Sequence, residues 1–405
     1  MTSTESEFTS IEICAGAGGQ AIGLHMAGFR HLALVEIDKH AAQTLRLNID
    51  AQDSWSWEKQ HCDLLDMDVK AFNPDRDLAK SGKLLVRNGL DLLAGGVPCP
   101  PFSHAGKQLG KDDERDLFPR MLELVEQLNP RAVMIENVRG LMDPKFSDYR
   151  GWIVAQLEGG TYTEEDGSAV TLPGLGYTVC KWGVLEASDF GVPQLRPRAI
   201  LVAIRNDVLK DVKYEWPTPT HEEPVSVAAA LDETMAERYE KYFDGRFDQQ
   251  ARDALKRWRD AAAERDRELK GKGGGIAPTL VGGSKKHGGA DLGPSRAKAA
   301  WKQLGVSGLG VANDIATCVE KESEARDLFG PDGPMLTVKQ AAIIQGFPAD
   351  WAFDGGNDSR GKPIIGKTAQ YRQVGNAFPP PVAAAVGRSI IEVLKAARER
   401  DARQG

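Results

Sequence analysis

Residues 11–29 read IEICAGAGGQAIGLHMAGF. An apolar run leads into a turn holding Gly16, Gly18 and Gly19, and helical spacing follows. That order predicts a strand, a tight turn and a helix, where backbone N–H groups and a helix N-terminus approach a ligand closely. The turn departs from G-x-G-x-x-G, because residue 21 is alanine and the next glycine is Gly23. The departure counts against a dinucleotide and favours an adenosyl cofactor without a pyrophosphate. The next apolar run ends at Glu36, an acid positioned to accept from both hydroxyls of a ribose. A further run, His61–Leu64, predicts a strand that brings Asp63 to an adenine amino group. A ligand-free turn and solvated carboxylates would account for each feature singly. Three in series at successive strand ends point to a cofactor.

Working outward, the first 205 residues alternate short apolar runs with helical stretches. Ile11–Ala15, His31–Ile37, Leu90–Ala94, Ala132–Ile135 and Ala199–Ala203 read as strands, and Ala41–Asn48 and Phe118–Leu128 as helices. The alternation predicts an α/β fold with a mainly parallel sheet covered on both faces. Residues 140–175, rich in glycine and acids, read as an excursion from the sheet. Trp55 and Trp57, at strand spacing, read as packing residues. From residue 206 the texture changes. Pro217, Pro219 and Pro224 precede a charged helical stretch, Val225–Leu269, and then a glycine-dense basic one. Between Lys270 and Lys302 seven Lys/Arg stand against one acid, Asp291. Helical spacing resumes at Leu336, and there are no internal repeats. The expected plan is a first domain over 1–205, an insert over 206–335, and a segment 336–405 returning to the first domain.

The chain has 405 residues, 41% apolar and 27% charged, which is ordinary for a globular protein. Five scattered cysteines argue for a reducing compartment, and without a C-x-x-C pair no metal site is expected. Met1–Ser10 is polar and acidic, unlike a signal peptide, and no run of eighteen apolar residues suggests a membrane span. The net charge of −7 excludes a uniformly basic nucleic-acid binder, though an average can hide a local basic face.

Chemistry-bearing residues gather at strand ends, where open α/β sheets collect ligands. Residues 95–103, GGVPCPPFS, hold Cys99 between Pro98 and Pro100, so a stiff loop presents the thiol; a buried structural thiol is the plainer alternative. AVMIENV ends with Glu136 and Asn137, and GVPQLRPRAILVAIR carries Gln194, Arg196 and Arg198 just before a strand. In order, CAGAGG, GGVPCPPFS, ENV, QLRPR, QGFP and QVGNAFPP resemble the bacterial S-adenosylmethionine-dependent DNA (cytosine-5)-methyltransferases, over residues 11–205 and about 336–395. Residues 206–335 match the place of that family's target-recognition domain, not its sequence.

The resemblance implies a Rossmann-like class I methyltransferase sheet and methyl transfer to C5 of a cytosine flipped out of duplex DNA. Cys99 would add to C6, Glu136 would hydrogen-bond N3, Arg198 would hold O2, and Arg196 would stabilise the thiolate or loop carboxylates. S-adenosylmethionine would contact Cys14, Ala15, Gly16, Gly18, Gly19, Glu36, Ile37, Asp63, Leu64, Leu117 and Asn376. The stretch SHAGKQLGKDDERDLF reads as a lid hinged at Gly106 and Gly110, with Ser103, Lys107, Lys111 and Arg115 meeting DNA. In the insert, Thr279 resembles the family's threonine–leucine element. Lys285, Lys286, His287, Arg296 and Lys298 suit phosphates and the major groove, or else belong to a solvated linker. Two positions depart from the family pattern. Cys14 replaces the usual Phe and removes an aromatic contact to adenine, and Pro100 replaces Gln. The implied partner is double-stranded DNA. A cognate restriction endonuclease would act on the same site without stable association, unless the enzyme is solitary. No membrane is implied; a bacterial cytoplasmic monomer, nucleoid-associated through DNA, is. A tRNA cytosine methyltransferase, a non-catalytic DNA-binding protein of this fold and a dehydrogenase remain as alternatives.

Overall fold

A computed structural model describes residues 8–98, 116–164, 166–269, 275–282 and 290–404. The strands among them are β1 Phe8–Ile13, β2 Phe29–Glu36, β3 Asp63–Asp66, β4 Leu92–Gly95, β5 Ala132–Val138, β6 Gly160–Thr163, β7 Ala169–Leu172, β8 Tyr177–Glu186 and β9 Pro197–Arg205. Seven form one sheet in the order β3-β2-β1-β4-β5-β9-β8, and β6 pairs with β7 as a separate antiparallel hairpin. The pairings among β1 to β5 are parallel, whereas β9 runs antiparallel to β5. β2 lies on one side of β1 and β4 on the other, so the topological switch point falls at the carboxyl ends of β1 and β4. The α/β fold expected from the alternation of strands and helices is observed, and its sheet is Rossmann-like, as the resemblance implies.

Both faces of the sheet are covered, and β1 explains how. Successive side chains point to opposite faces. Ile11 and Ile13 enter an apolar cluster with Phe118 and Met121 of helix Phe118–Leu128 and Ile153 of helix Ser147–Glu158. Each fully buried aliphatic side chain of this kind contributes about 1.5–3 kcal/mol. Ser10 points the other way, with Oγ 2.9 Å from Nδ1 of buried His31. His31 Nε2 lies 2.9 Å from the Ala21 carbonyl of helix Gly19–Ala27. Burial lowers the His31 pKa to about 4 and keeps the ring neutral. Helix Pro380–Gln404 covers this same side. Gly387 sits so close to helix Gly19–Ala27 that a Cβ on it would stand 2.8 Å from Ala27 Cβ. Farther along, Arg398 donates to both oxygens of buried Asp91 at 3.1 Å, beside Arg131 at 3.0 Å.

The chain divides into two compact units, Met1–Leu185 with Pro197–Thr218 and Val382–Gly405, and Glu186–Arg196 with Pro219–Pro381. The expected boundaries shift accordingly. The second unit takes in Glu186–Arg196 and then resumes at Pro219, not at 206, and residues 336–381 belong to it, so the final return to the first unit begins at Val382. Buried Arg238, on helix Val227–Glu240, supplies the reason. It donates to the carbonyls of Met335 at 2.9 Å and Asp327 at 3.2 Å and to Gln340 Oε1 at 2.8 Å, tying helix Val338–Gln345 into the second unit. Local helical spacing carries no information about which unit a helix joins.

Two further expectations change. His61 ends helix Ser56–His61, so the third strand begins only at Asp63. Trp55 and Trp57 lie on helical turns, not a strand. Trp55 is buried and stacks on His25 with ring centroids 4.1 Å apart, and Trp57 packs half-buried against the core. The excursion at 140–175 contains helix Ser147–Glu158 and the β6–β7 hairpin.

Candidate active site

The glycine turn after β1 has the backbone its sequence demands. Gly16 and Gly18 adopt φ 55° and 97°, and Gly18 caps the helix that Gly19 opens. No described atom lies within 4 Å of where a Cβ on Gly16 would stand, so the turn faces open space. Ala15 N donates to Val35 O at 3.1 Å, fixing the turn against β2. Cys14 also adopts a left-handed φ, 53°, which a non-glycine residue occupies only under constraint. Burial, then Glu36 and Glu12, push its thiol up to about 12, so it stays neutral. Glu12 is wholly buried beneath the turn, and burial raises its pKa well above the usual carboxylate range. Nothing in the sequence flagged it.

At the carboxyl end of β2, Glu36 accepts from Gly16 N and Asp38 N, both at 2.7 Å. Burial raises its pKa, and these two N–H bonds oppose the shift. The next residue, Ile37, is 62% exposed, an apolar surface beside the open glycine turn. The third acid needs correction. Asp63 begins β3 instead of ending it, and its carboxylate accepts from Lys80 N, Ser81 N and Ser81 Oγ at 2.9–3.0 Å. It braces a turn and has little capacity left for a ligand. Leu64 pairs with Leu34 in mid-strand. The acid in register with Glu36 is Asp66, at the exposed end of β3. Sequence reasoning missed it because the strand was started too early; in CDLLDMD the position of the strand end is not marked.

β4 ends at Gly95, in register with Ile13, and a Cβ there would meet Ile13 Cγ1 at 2.7 Å. Only glycine fits. A Cβ on Gly96 would stand 3.0 Å from Glu136 Oε2. The loop leaving β4 is then held from β5, where buried Asn137 donates Nδ2–H to Val97 O at 2.8 Å. On the far side of residues 99–115, Leu117 N donates to Pro98 O at 3.4 Å. Beside it, buried Asp116 accepts from Tyr149 Oη at 2.5 Å and from Phe118 N at 2.9 Å. Asn137 and Asp116 are bracing residues that the sequence reading quoted without assigning them a part.

Glu136 and Arg198 come together across the β5–β9 ladder. Arg198 pairs with Val138 and Ile200 with Glu136, which puts both side chains on one face as diagonal neighbours. Their ion pair, Nε to Oε1, measures 2.9 Å, with side-chain exposures of 12% and 13%. Arg198 stands inside β9, not ahead of it as expected.

Arg196 belongs to the second unit. It is buried, and its guanidinium donates to the carbonyls of Leu280 at 2.6 Å, Gly375 at 2.8 Å and Ala377 at 3.0 Å. These bonds give it a bracing role, while the thiol and the loop it was expected to face lie outside the described residues. Buried Gln194 works alongside it, accepting from Leu280 N at 2.7 Å and donating to Gln345 Oε1 at 2.8 Å. Thr279 Oγ1–H is donated to Leu195 O at 2.5 Å. Residues 277–282 are thus clamped between QLR and QVGNA. A Cβ on Gly375 would lie 2.6 Å from Gly282 N and Val281 C, both backbone atoms that cannot step aside. Gly375→Ala is therefore expected to destabilise the protein by about 1–3 kcal/mol, read by urea unfolding. An unchanged midpoint would contradict the clamp.

Asn376 ends helix Lys367–Asn376 in the second unit and is exposed, with Oδ1 facing Gly282. Arg296 is exposed near the start of helix Ser295–Gln303, and Lys298 pairs with Asp291 at 2.8 Å. Cys99, Ser103, Lys107, Arg115, Lys285 and Lys286 lie outside the described residues, as do Gly106, Gly110, Lys111 and His287.

The carboxylate–guanidinium pair of Glu136 and Arg198 thus stands beside the switch point of the sheet, where open α/β sheets collect ligands. The profile of C-5 cytosine-specific DNA methylases matches residues 8–392, and the chain belongs to that family. It is a DNA cytosine-5 methyltransferase. It is 43% identical to the Type II methyltransferase M.NaeI of Lentzea aerocolonigenes over 385 residues, which cover 95% of this chain and 75% of the relative. Its identity to the Type II methyltransferase M.NgoMIV of Neisseria gonorrhoeae is 41%, covering 96% of this chain and 99% of the relative. The solved structure of the Entamoeba histolytica methyltransferase EhMeth superposes with a TM-score of 0.54 at 13% identity, over 96% of this chain and 99% of that one.

Proposed function

We propose that the protein transfers a methyl group from S-adenosylmethionine to C5 of a cytosine turned out of duplex DNA, through a transient bond between Cys99 Sγ and C6. The observation that carries this reading is the 2.9 Å Glu136–Arg198 pair. On the pyrimidine edge O2 and N3 are neighbouring atoms, and a guanidinium beside a carboxyl matches them with a donor for each.

The residues around the glycine turn fit an adenosyl group. Gly16 leaves space, Ile37 offers apolar surface to a flat ring, and Glu36, with Asp66 beside it, offers acceptors. The bound cofactor would supply a methyl group on a cationic sulfur. Cys99 forms its bond to C6 as a thiolate, and the ring electrons move toward C5 and N3. Glu136 gives N3 a proton as charge builds there, and Arg198 holds O2 in place. With C5 now nucleophilic, it takes the methyl group. Loss of the C5 proton to a base then expels the thiolate, N3 returns its proton to Glu136, and the aromatic ring is restored. Asn137, by holding Val97, fixes the strand end from which Cys99 departs. Arg196 and Gln194 brace residues 277–282 within the second unit.

The similarity to Type II enzymes supports a place in a restriction–modification pair, with an endonuclease acting on the same site. The test is bisulfite sequencing of DNA from cells expressing the protein. Protected cytosines in one recurring sequence are the expected result. Uniform conversion of every cytosine would overturn the reading, and methylation found only in tRNA would move it to the RNA substrate.

A further inference from the structure

The excursion at 140–175 plays no part in the chemistry above, yet the first turns of its helix Ser147–Glu158 hold two chain ends that do. Arg150 donates to the carbonyls of Leu141 at 2.7 Å and Asp143 at 2.9 Å, just beyond β5, the strand that carries Glu136 and Asn137. Its neighbour Tyr149 donates Oη–H to buried Asp116 at 2.5 Å, directly after residues 99–115 in the chain. The Tyr149 ring is located without its hydroxyl. It stands edge-on to Phe118 with centroids 5.7 Å apart and lies 5.6 Å from the Trp152 ring. All of these residues belong to the first unit.

The stretch from Cys99 to Asp116 is closed at its base by bonds of unequal strength. Leu117 N to Pro98 O measures 3.4 Å, longer than the usual range of about 2.7–3.2 Å, and is a weak closure by itself. The bonds to the Asp116 carboxylate, 2.5 Å from Tyr149 Oη and 2.9 Å from Phe118 N, are short and charge-assisted. On the other side of Pro98, Val97 O is held by Asn137 at 2.8 Å. Cys99 follows Pro98 directly, so a shift at this base shifts the point from which the thiol starts. A displacement of about 1 Å at a reacting group costs about 10²-fold in rate.

We infer that Tyr149 is a positioning residue for the transfer reaction: through Asp116 it fixes Leu117 against Pro98, and with them the base from which Cys99 departs. The catalytic consequence rests on the function proposed above; the brace itself does not.

Tyr149→Phe tests it, because the phenyl ring keeps the contacts to Phe118 and Trp152, and thermal unfolding confirms that the variant folds. Single-turnover methyl transfer should fall about 10- to 10²-fold, with KM for DNA and the affinity for S-adenosylmethionine within about twofold of wild type. Asp116→Asn should also slow transfer. The double variant should be no slower than the slower single one, since both act through one bond. Losses that multiply, a loss confined to KM, or a Tyr149→Phe enzyme as fast as wild type overturn the inference. Hydrogen exchange reads the brace without any methyl transfer. The amides of Leu117 and Phe118 should exchange faster in Tyr149→Phe than in wild type, and equal exchange overturns the brace. If wild type transfers no methyl group, the proposed function fails and exchange alone decides on the brace. If wild type transfers and the variant matches it, only the role of Tyr149 fails.

Discussion

Cys99→Ser is expected to reduce single-turnover methyl transfer by at least about 10³-fold while leaving the unfolding midpoint unchanged. The reason lies in the two atoms. A thiol ionises within reach of neutral pH, and its soft thiolate adds to an unsaturated carbon. A serine hydroxyl in the same place stays protonated and adds poorly. The measurement is radiolabelled methyl transfer under enzyme excess, paired with a trapping assay. A duplex carrying 5-fluorocytosine at the target cannot lose its C5 substituent after methylation, so wild type should remain bonded to it and the variant should not. Transfer by the serine enzyme at a rate near that of wild type would remove the covalent step from the mechanism. The four described cysteines give no competing candidate. Cys62 and Cys318 are buried, and burial pushes the Cys14 thiol up to about 12 and the Cys180 thiol up to about 11.

Glu136→Gln carries the second large effect, a loss of about 10²–10⁴-fold in the methyl-transfer rate. The amide keeps the size of the carboxylate, and its oxygen can still accept from Arg198 Nε, so the β5–β9 pair should hold its geometry. What disappears is the acidic proton that N3 takes as the ring becomes electron-rich. The loss should therefore fall on kcat with KM for DNA nearly unchanged, which separates a proton donor from a residue that merely positions the base. An equal loss on KM alone would assign Glu136 to binding.

The same pair illustrates what could be read without coordinates. The β-branched and aliphatic run AVMIENV marks a buried strand, and the glutamate at its end falls where an open sheet collects ligands. QLRPR ahead of another apolar run does the same for Arg198. Neither motif states that the two strands are neighbours. That follows from β9 entering the sheet antiparallel beside β5, a long-range pairing that local spacing does not encode.

By itself the sequence determined the strand–turn–helix at 11–29, the alternation that makes the sheet, and the family, because these rest on residue order and side-chain period alone. Glycine at 16 and 18 is legible for the same reason, since only a residue without Cβ takes those φ values freely. Tertiary structure decided the rest. It put Asp66, not Asp63, in register with Glu36 by starting β3 two residues after the predicted strand. It engaged Arg196 as a clamp on three carbonyls, and it drew residues 336–381 into the second unit. In each case the deciding contact joins residues far apart in the chain. A buried guanidinium or carboxylate goes to whichever backbone groups packing leaves in need of a partner, and those are known only once the chain has folded.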